Sequence, residues 1–395
     1  MFAAAKRVLP WLNGLLAYLT WQVVGLFAPR RSGQRPVPGP VCVIQMNALG
    51  DVVMATPLLR ALVDAFGPGQ VDVVAREHTA PLLENFHGLG RIIRVKSHLY
   101  WRDPASVLAF FRLAWQVRNR RYQAVLDLSR LMQSAWLTYL SGSDKRVGLR
   151  LTRVLGPFKL DSLGYIYTDE IDADANAHMV QQNLSLLAPF NVASVSARLE
   201  FSPTVNDRLT ATAWLEFHGV KAGQPYAVIH PGAKWPPKRW PVGRFRQVAT
   251  HLQARGIAVV LAGDANDRLL ICSIAEGMNI APIALAGELE LGAVGALIQH
   301  ARLLIGNDSA LMHLASALGT PTLALFGPTY PNHTGPLGRL GRAIAKPISC
   351  RPCRLYFTRD RCERGHNYCM DLIEVDEVTA MADELLNLSN QEVIP

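Results

Sequence analysis

The chain has 395 residues, half of them hydrophobic and only 18% charged. That length suits two domains, or three, and the composition excludes a mostly disordered chain. The formal net charge is +9, and Lys6, Arg7, Arg30, Arg31 and Arg35 put five of those charges in the first forty residues, where no acidic residue stands. The modest excess elsewhere fits an anionic substrate or a membrane surface. Nothing resembles the basic helix or aromatic–basic repeat of a nucleic-acid binder, so no nucleic-acid partner is expected.

Residues 8–28 carry no charged side chain, close to the ~20 residues needed to span a bilayer. Trp11 and Trp21 lie within the stretch and basic pairs flank it, as in an interfacial helix. A transmembrane anchor and a helix packed on the protein are the alternatives. No small-x-small site precedes Arg30, which argues against a cleaved signal peptide. Residues 31–40, RSGQRPVPGP, read as a linker.

From Val41 the pattern alternates between apolar runs and helical periods, as in a parallel α/β sheet. Strands are predicted over Val41–Gln45, Val71–Ala75, Arg91–Val95 and Ala124–Leu128, with helices over Asp51–Phe66 and Arg102–Arg121, the latter basic on its exposed side. A second series begins near Tyr226. It predicts strands at 227–230, 257–261, 283–286, 303–305 and 322–326, and helices at 243–254, 268–276, 291–300 and 310–318. A last helix is predicted over Val375–Leu388. The domain organisation expected is an apolar segment and linker over 1–40, one Rossmann-like half over 41–205 and a second over 206–375. The second half carries a Cys-rich loop at 350–369, and a C-terminal helix follows at 376–395.

Three blocks stand where strands meet helices. In NALGDVVMATPLL, residues 47–59, Gly50 permits a tight turn and Asp51 opens a helix. Asp51 either caps that helix or acts as a general base at the carboxyl edge of the sheet, where ligands collect. The helix field is expected to keep it ionised. In HPGAKWPPKRWP, residues 230–241, the turn at Gly232 offers backbone N–H groups to a phosphate, with Lys234, Lys238 and Arg239 beside it. In IGNDSALMHLASALGTPTLALFGPT, residues 305–329, Asp308, Ser309 and Ala310 begin a helix whose N–H groups form an anion site. His313 shares a helical face with Ser309. Each motif also has a plain structural reading, as cap, basic surface loop and core histidine.

Taken together the three blocks resemble glycosyltransferase family 9, the heptosyltransferases, over about Val41 to Val378. The resemblance implies the GT-B fold, two Rossmann-like domains facing across a cleft, and an inverting transfer from ADP-heptose to a lipopolysaccharide inner-core acceptor. It implies that Asp51 activates the acceptor hydroxyl and that Lys238 holds the donor diphosphate, with Gly232 and Lys234 on the same loop. Asp308, Ser309, Ala310 and His313 would line the phosphate and sugar, and Asp267 would meet the ribose. Where many members carry Thr-Gly, this chain has Ser309–Ala310, which keeps the hydroxyl and adds a methyl.

On the acceptor side, Arg130, Lys145, Arg146 and Arg150 could meet phosphates or carboxylates of a lipid-linked oligosaccharide, or form a solvated basic face. Asp172-Ala173-Asp174 has the Asp-x-Asp spacing of a metal site, although the family needs no metal or other cofactor for transfer. Cys350, Cys353, Cys362 and Cys369 could hold a structural zinc or iron, form disulfides, or remain reduced in a packed loop. Cys42 and Cys272 are expected as buried thiols. The whole describes a cytoplasmic enzyme at the inner face of the inner membrane. A protein O-heptosyltransferase, a non-catalytic nucleotide-sugar-binding protein and a sugar-nucleotide epimerase are the alternatives.

Overall fold

The computed structural model describes residues 39–96, 104–150, 152–155, 158–161, 166–192, 196–353, 362 and 364–391. The apolar stretch 8–28 lies outside them. Among the described residues no helix is long and apolar enough to cross a membrane.

The chain opens with strand β1 (Val41–Gln45), helices α1 (Leu49–Val53) and α2 (Thr56–Phe66), and strands β2 (Val71–Arg76) and β3 (Leu89–Val95). Helix α3 (Pro104–Asn119), β4 (Ala124–Asp127), α4 (Met132–Leu140) and β5 (Lys145–Leu149) follow. An antiparallel ribbon of β6 (Thr152–Leu155) and β7 (Phe158–Asp161) precedes β8 (Asp169–Ile171) and α5 (Met179–Ser185). Strands β1 to β5 and β8 make one six-stranded sheet in the order β3-β2-β1-β4-β5-β8, parallel throughout.

After helix α6 (Val205–Phe217) the pattern repeats: β9 (Tyr226–His230), α7 (Val242–Ala254), β10 (Ala258–Gly263), α8 (Arg268–Ala275), β11 (Ile283–Ala286), α9 (Leu291–Gln299), β12 (Leu303–Asn307), α10 (Ala310–Leu318) and β13 (Thr322–Phe326). The short helix α11 (Pro331–Thr334), β14 (Gly341–Ala345), α12 (Tyr368–Asp371) and α13 (Val375–Gln391) end the described chain. The second sheet runs β11-β10-β9-β12-β13-β14, again all parallel and in the same relative order as the first. Strands such as VCVIQ and YAVIH are buried along their whole length, as expected when helices cover both faces of a sheet.

The helix expected over Asp51–Phe66 is two helices. Pro57 has no N–H to give Val53, and the Thr56 hydroxyl takes the Val53 carbonyl instead at 2.7 Å. The break turns α1 into a separate five-residue unit bearing Gly50 and Asp51. Residues 201–204 lead into α6, which packs on α9. Thr204 and Asp207 cap that helix reciprocally. The segment before it is tied back to the first half: Arg60 grips Glu200 through Nε at 3.0 Å and Nη2 at 2.8 Å.

Helix α13 is not a separate unit. Val378, Ala382, Leu385 and Leu386 are buried in one cluster with Trp240, Phe245 and the second sheet. Trp240 is the anchor, its indole N–H donating to the Ile373 carbonyl at 3.0 Å and its ring edge-on to Phe245. Trp240→Ala should therefore cost about 3–5 kcal/mol of folding stability, read as a lower denaturation midpoint in urea.

Candidate active site

Asp51, Lys238, Asp308 and His313 stand at the carboxyl edges of the two sheets, where helices α1 and α10 touch. The contact depends on Gly50: a Cβ there would come within 2.7 Å of the His313 imidazole. Asp51 follows directly, in the first turn of α1. Its carboxylate accepts the Ala48 N–H at 3.1 Å. Burial pushes the Asp51 carboxyl above its usual range; the Ala48 bond and the nearby Arg130 and Lys238 pull it back, and Asp308 adds to the rise. Desolvation thus outweighs the Ala48 hydrogen bond and the neighbouring cations, and the result is a stronger base.

Across the contact, Lys238 and Asp308 form an ion pair of 2.5 Å, both side chains largely buried. Thr329 donates to the same Asp308 oxygen at 2.6 Å. The lysine ammonium also lies over the Trp235 ring, 4.9 Å from its centroid. Ser309 Oγ and His313 Nδ1 are buried with no hydrogen-bond partner among the described residues. Burial lowers His313 to about 4, so the ring is neutral at physiological pH. Two orphaned polar atoms beside a lysine and a helix start are the surroundings of a polar, anionic ligand.

Some of the machinery was not foreseen. Asn307, fully buried at the end of β12, accepts the Trp240 N–H at 3.0 Å and donates to the Pro231 carbonyl at 2.7 Å. One amide thereby holds both ends of the 230–241 loop. His230 is structural, its Nδ1 2.7 Å from the Ala262 carbonyl. His178 accepts the Val180 N–H on Nδ1, which leaves Nε2–H to donate to the Gly335 carbonyl at 3.1 Å, joining the two halves.

Arg130 is placed by a second buried network. Its backbone sits at φ +55°, a left-handed conformation that costs a non-glycine residue. Asp127, fully buried at the end of β4, accepts the Ser129 N–H at 2.9 Å and the Arg130 N–H. It also accepts the Ser134 and Tyr167 hydroxyls, both at 2.8 Å. Tyr167 reaches it because Gly148 leaves room for the phenol ring. Ser129 in turn binds Met46 N–H and the Ile44 carbonyl at the end of β1, so the Arg130 loop and the Asp51 loop share one support.

Not every expected residue joins the cluster. Lys145 and Arg146 begin β5, at the amino edge. Lys145 donates to the Pro189 carbonyl, and Arg146 donates to the Ile166 and Ser143 carbonyls at 2.6 and 2.7 Å. Neither joins the cluster. Lys234 is exposed on the outer part of its loop, near His78. Asp267, expected at the donor ribose, is enclosed in the scaffold: it fills the space over Gly232 and Gly263 and pairs with Arg239 at 3.6 Å. Gly232 is required for that packing. Ala310 is the first residue of α10.

The placement of the described residues gives neither metal candidate support. Asp172 pairs with Arg150 and Asp174 binds the Asn176 N–H, so the Asp-x-Asp carboxylates serve the local backbone and surface. Among the described residues no three of His, Cys, Asp and Glu are placed to hold a metal ion. Cys350, Cys353, Cys362 and Cys369 are neighbours without forming such a set. Burial, with Cys353 next, pushes the Cys369 thiol up to about 11, and the thiol donates to the Asn367 side-chain oxygen at 3.7 Å. Of the isolated cysteines, Cys42 is buried as expected, whereas Cys272 is exposed.

Two parallel sheets of the same strand order, facing each other across such a cluster, give the chain the GT-B architecture. The model of glycosyltransferase family 9 (heptosyltransferase) matches residues 110–362. The chain belongs to this family. It is 28% identical over 353 residues to lipopolysaccharide heptosyltransferase 3 of Escherichia coli, covering 86% of this chain and 97% of that protein. Among solved structures, a family 9 glycosyltransferase from Veillonella parvula matches with a TM-score of 0.73 and 23% identity over 88% of this chain and 97% of the other. The ADP-heptose LPS heptosyltransferase II of E. coli matches with a TM-score of 0.70 and 23% identity over 89% and 99%.

Asp127 titrates at 3.8 in the absence of its surroundings and near 6 in the fold, because burial exceeds its hydrogen bonds. The native state then binds more protons than the unfolded chain between those values. Its contribution is fully present below about pH 4 and is lost as pH rises through 6, a decline of about 3 kcal/mol. Urea unfolding of wild type should show this falling limb between pH 4 and 6, and Asp127→Asn should flatten it.

Proposed function

We propose that this chain transfers heptose from ADP-heptose, with inversion, to a hydroxyl of the lipopolysaccharide inner core. The observation that carries the reading is the meeting of a half-buried Asp51 with the Lys238–Asp308 pair at the start of α10. Family membership and the names of the relatives supply the sugar and acceptor.

Asp51 takes the proton of the acceptor hydroxyl as that oxygen attacks the anomeric carbon. The bond from that carbon to the diphosphate breaks on the opposite face, and negative charge grows on the leaving group. Lys238 receives that charge, and the donor diphosphate displaces Asp308 from it, with Thr329 keeping the Asp308 carboxylate in place. The start of α10, Ser309 Oγ and the neutral His313 bind phosphate and sugar oxygens. Gly232 and the loop around Lys234 frame the same anion, and Arg130 meets an anionic group of the acceptor. No step requires a metal. Because the acceptor is lipid-linked, the enzyme works at the cytoplasmic face of the inner membrane.

The test is a donor panel of ADP-heptose, UDP-sugars and GDP-sugars with a core-lipid acceptor, read by mass spectrometry. Heptose addition from ADP-heptose alone is expected. Asp51→Asn should lower turnover by about 10²–10⁴-fold with donor affinity retained. Lys238→Ala should lower it by roughly 10²–10³-fold and weaken ADP binding. Transfer of another sugar would overturn the heptose assignment, and full activity of Asp51→Asn would overturn the base.

A further inference from the structure

Helix α3 shows the basic outer side expected of it, and between its arginines runs an apolar stripe. Phe110, Leu113, Ala114 and Val117 are buried against the first sheet. Rotation by 100° per residue puts Leu108, Phe111 and Trp115 on the opposite side. They are 51%, 52% and 68% exposed. A helix on the surface of a soluble domain ordinarily presents polar groups there. Here the stripe is continuous at spacings of three and four. Edge-on contact with Phe110, at 5.9 Å between centroids, supports the Phe111 ring.

Charge identifies what meets it. On the helical projection Arg112 borders the stripe on one side and Arg118 on the other, and both are exposed. Arg121, also exposed, follows the helix end, and residues 104–126 contain no aspartate or glutamate. Leu, Phe and Trp between arginine rims, without a carboxylate, match the boundary of acyl chains and anionic headgroups. The contrast is α6, where exposed Val205, Leu209 and Phe217 share their helix with Asp207 and Glu216, charges that an anionic surface would repel. Helix α3 also leads away from the carboxyl end of β3. Its first turn, with Leu108 one turn on, therefore lies toward the edge that carries Asp51.

We propose that the outer face of α3 docks on an anionic lipid surface, with Leu108, Phe111 and Trp115 entering the acyl boundary and Arg112, Arg118 and Arg121 meeting headgroup phosphates. The inference rests on the reading of the acceptor as lipid-linked, which makes the membrane the place of encounter.

The full chain is mixed with phosphatidylcholine vesicles with and without phosphatidylglycerol, and bound protein is separated by flotation. Wild type should float with the anionic vesicles, less so at high salt. The triple variant Leu108→Ser/Phe111→Ser/Trp115→Ser should lose roughly tenfold or more of its partition. Acyl chains brominated near the headgroup should quench wild-type tryptophan emission, and Trp115→Phe should reduce the quenched share. Transfer from donor to a delipidated, water-soluble acceptor should be unchanged in the triple variant. Quenching unaffected by Trp115→Phe, or equal flotation of wild type and triple variant, would overturn the docking face. So would a wild-type dimer that the triple variant makes monomeric with partition unchanged. Loss of flotation in the variant, with no sugar transfer by either protein, would support the docking face and reject only the proposed activity.

Discussion

The approach of Gly50 to His313 is the constraint on which the site depends. With hydrogen as its only side chain, residue 50 lets the imidazole of α10 rest against the backbone of α1. That contact sets the carboxyl edges of the two sheets face to face and puts Asp51 in the field of Lys238, Arg130 and Asp308. Without it, each half would keep its own loops and the charges would not act on one another. Burial then follows: a lysine and a carboxylate are largely withdrawn from water, with the half-buried Asp51 beside them. Such an arrangement is a poor source of stability, because desolvation opposes the ion pairing. Its value lies in what the low local dielectric does to charge that appears during a reaction.

The two sheets divide the work of holding this cluster unequally. On the second sheet, one amide at Asn307 and one indole at Trp240 hold the basic loop against β12 and the C-terminal segment. On the first, the support is ionic. Asp127 collects four donors and holds Arg130 in a backbone conformation it would not otherwise choose. The strain at Arg130 is local, and the hydrogen bonds that offset it are all buried.

Much of this was legible in the sequence, and the reasons differ by element. Strands such as VCVIQ and TLALF read correctly because full burial makes them continuous apolar runs. Gly50, Asp51, Lys238 and Asp308 stood out because each lies between a strand and the next helix, and His313 because it follows Ser309 by one helical turn. Helices α4, α5, α6, α11 and α12 and strands β5 to β8 and β14 were missed; KRVGL, for instance, opens with two charged residues whose polar ends reach backbone carbonyls at the sheet edge. The break at Pro57 was readable from the proline but not from the apolar period, which continues across it. Asp127 and Asn307 gave no signal, since a lone polar residue ending an apolar strand has no spacing partner in the chain. Lys145 and Arg146 show the opposite case: a cationic pair conspicuous in the sequence starts a strand and spends its polar ends on backbone carbonyls away from the cluster.

Asn307 carries one further consequence. Because its amide already satisfies the backbone at both ends of the 230–241 loop, the loop takes its position from β12 rather than from a ligand. The conformational entropy of ordering some ten residues is then lost during folding, when it can be offset by burial of Trp240 and its neighbours. A nucleotide-sugar arriving at such a loop meets backbone N–H groups already in place. Its binding energy remains available for the reacting bond rather than for the shape of the protein.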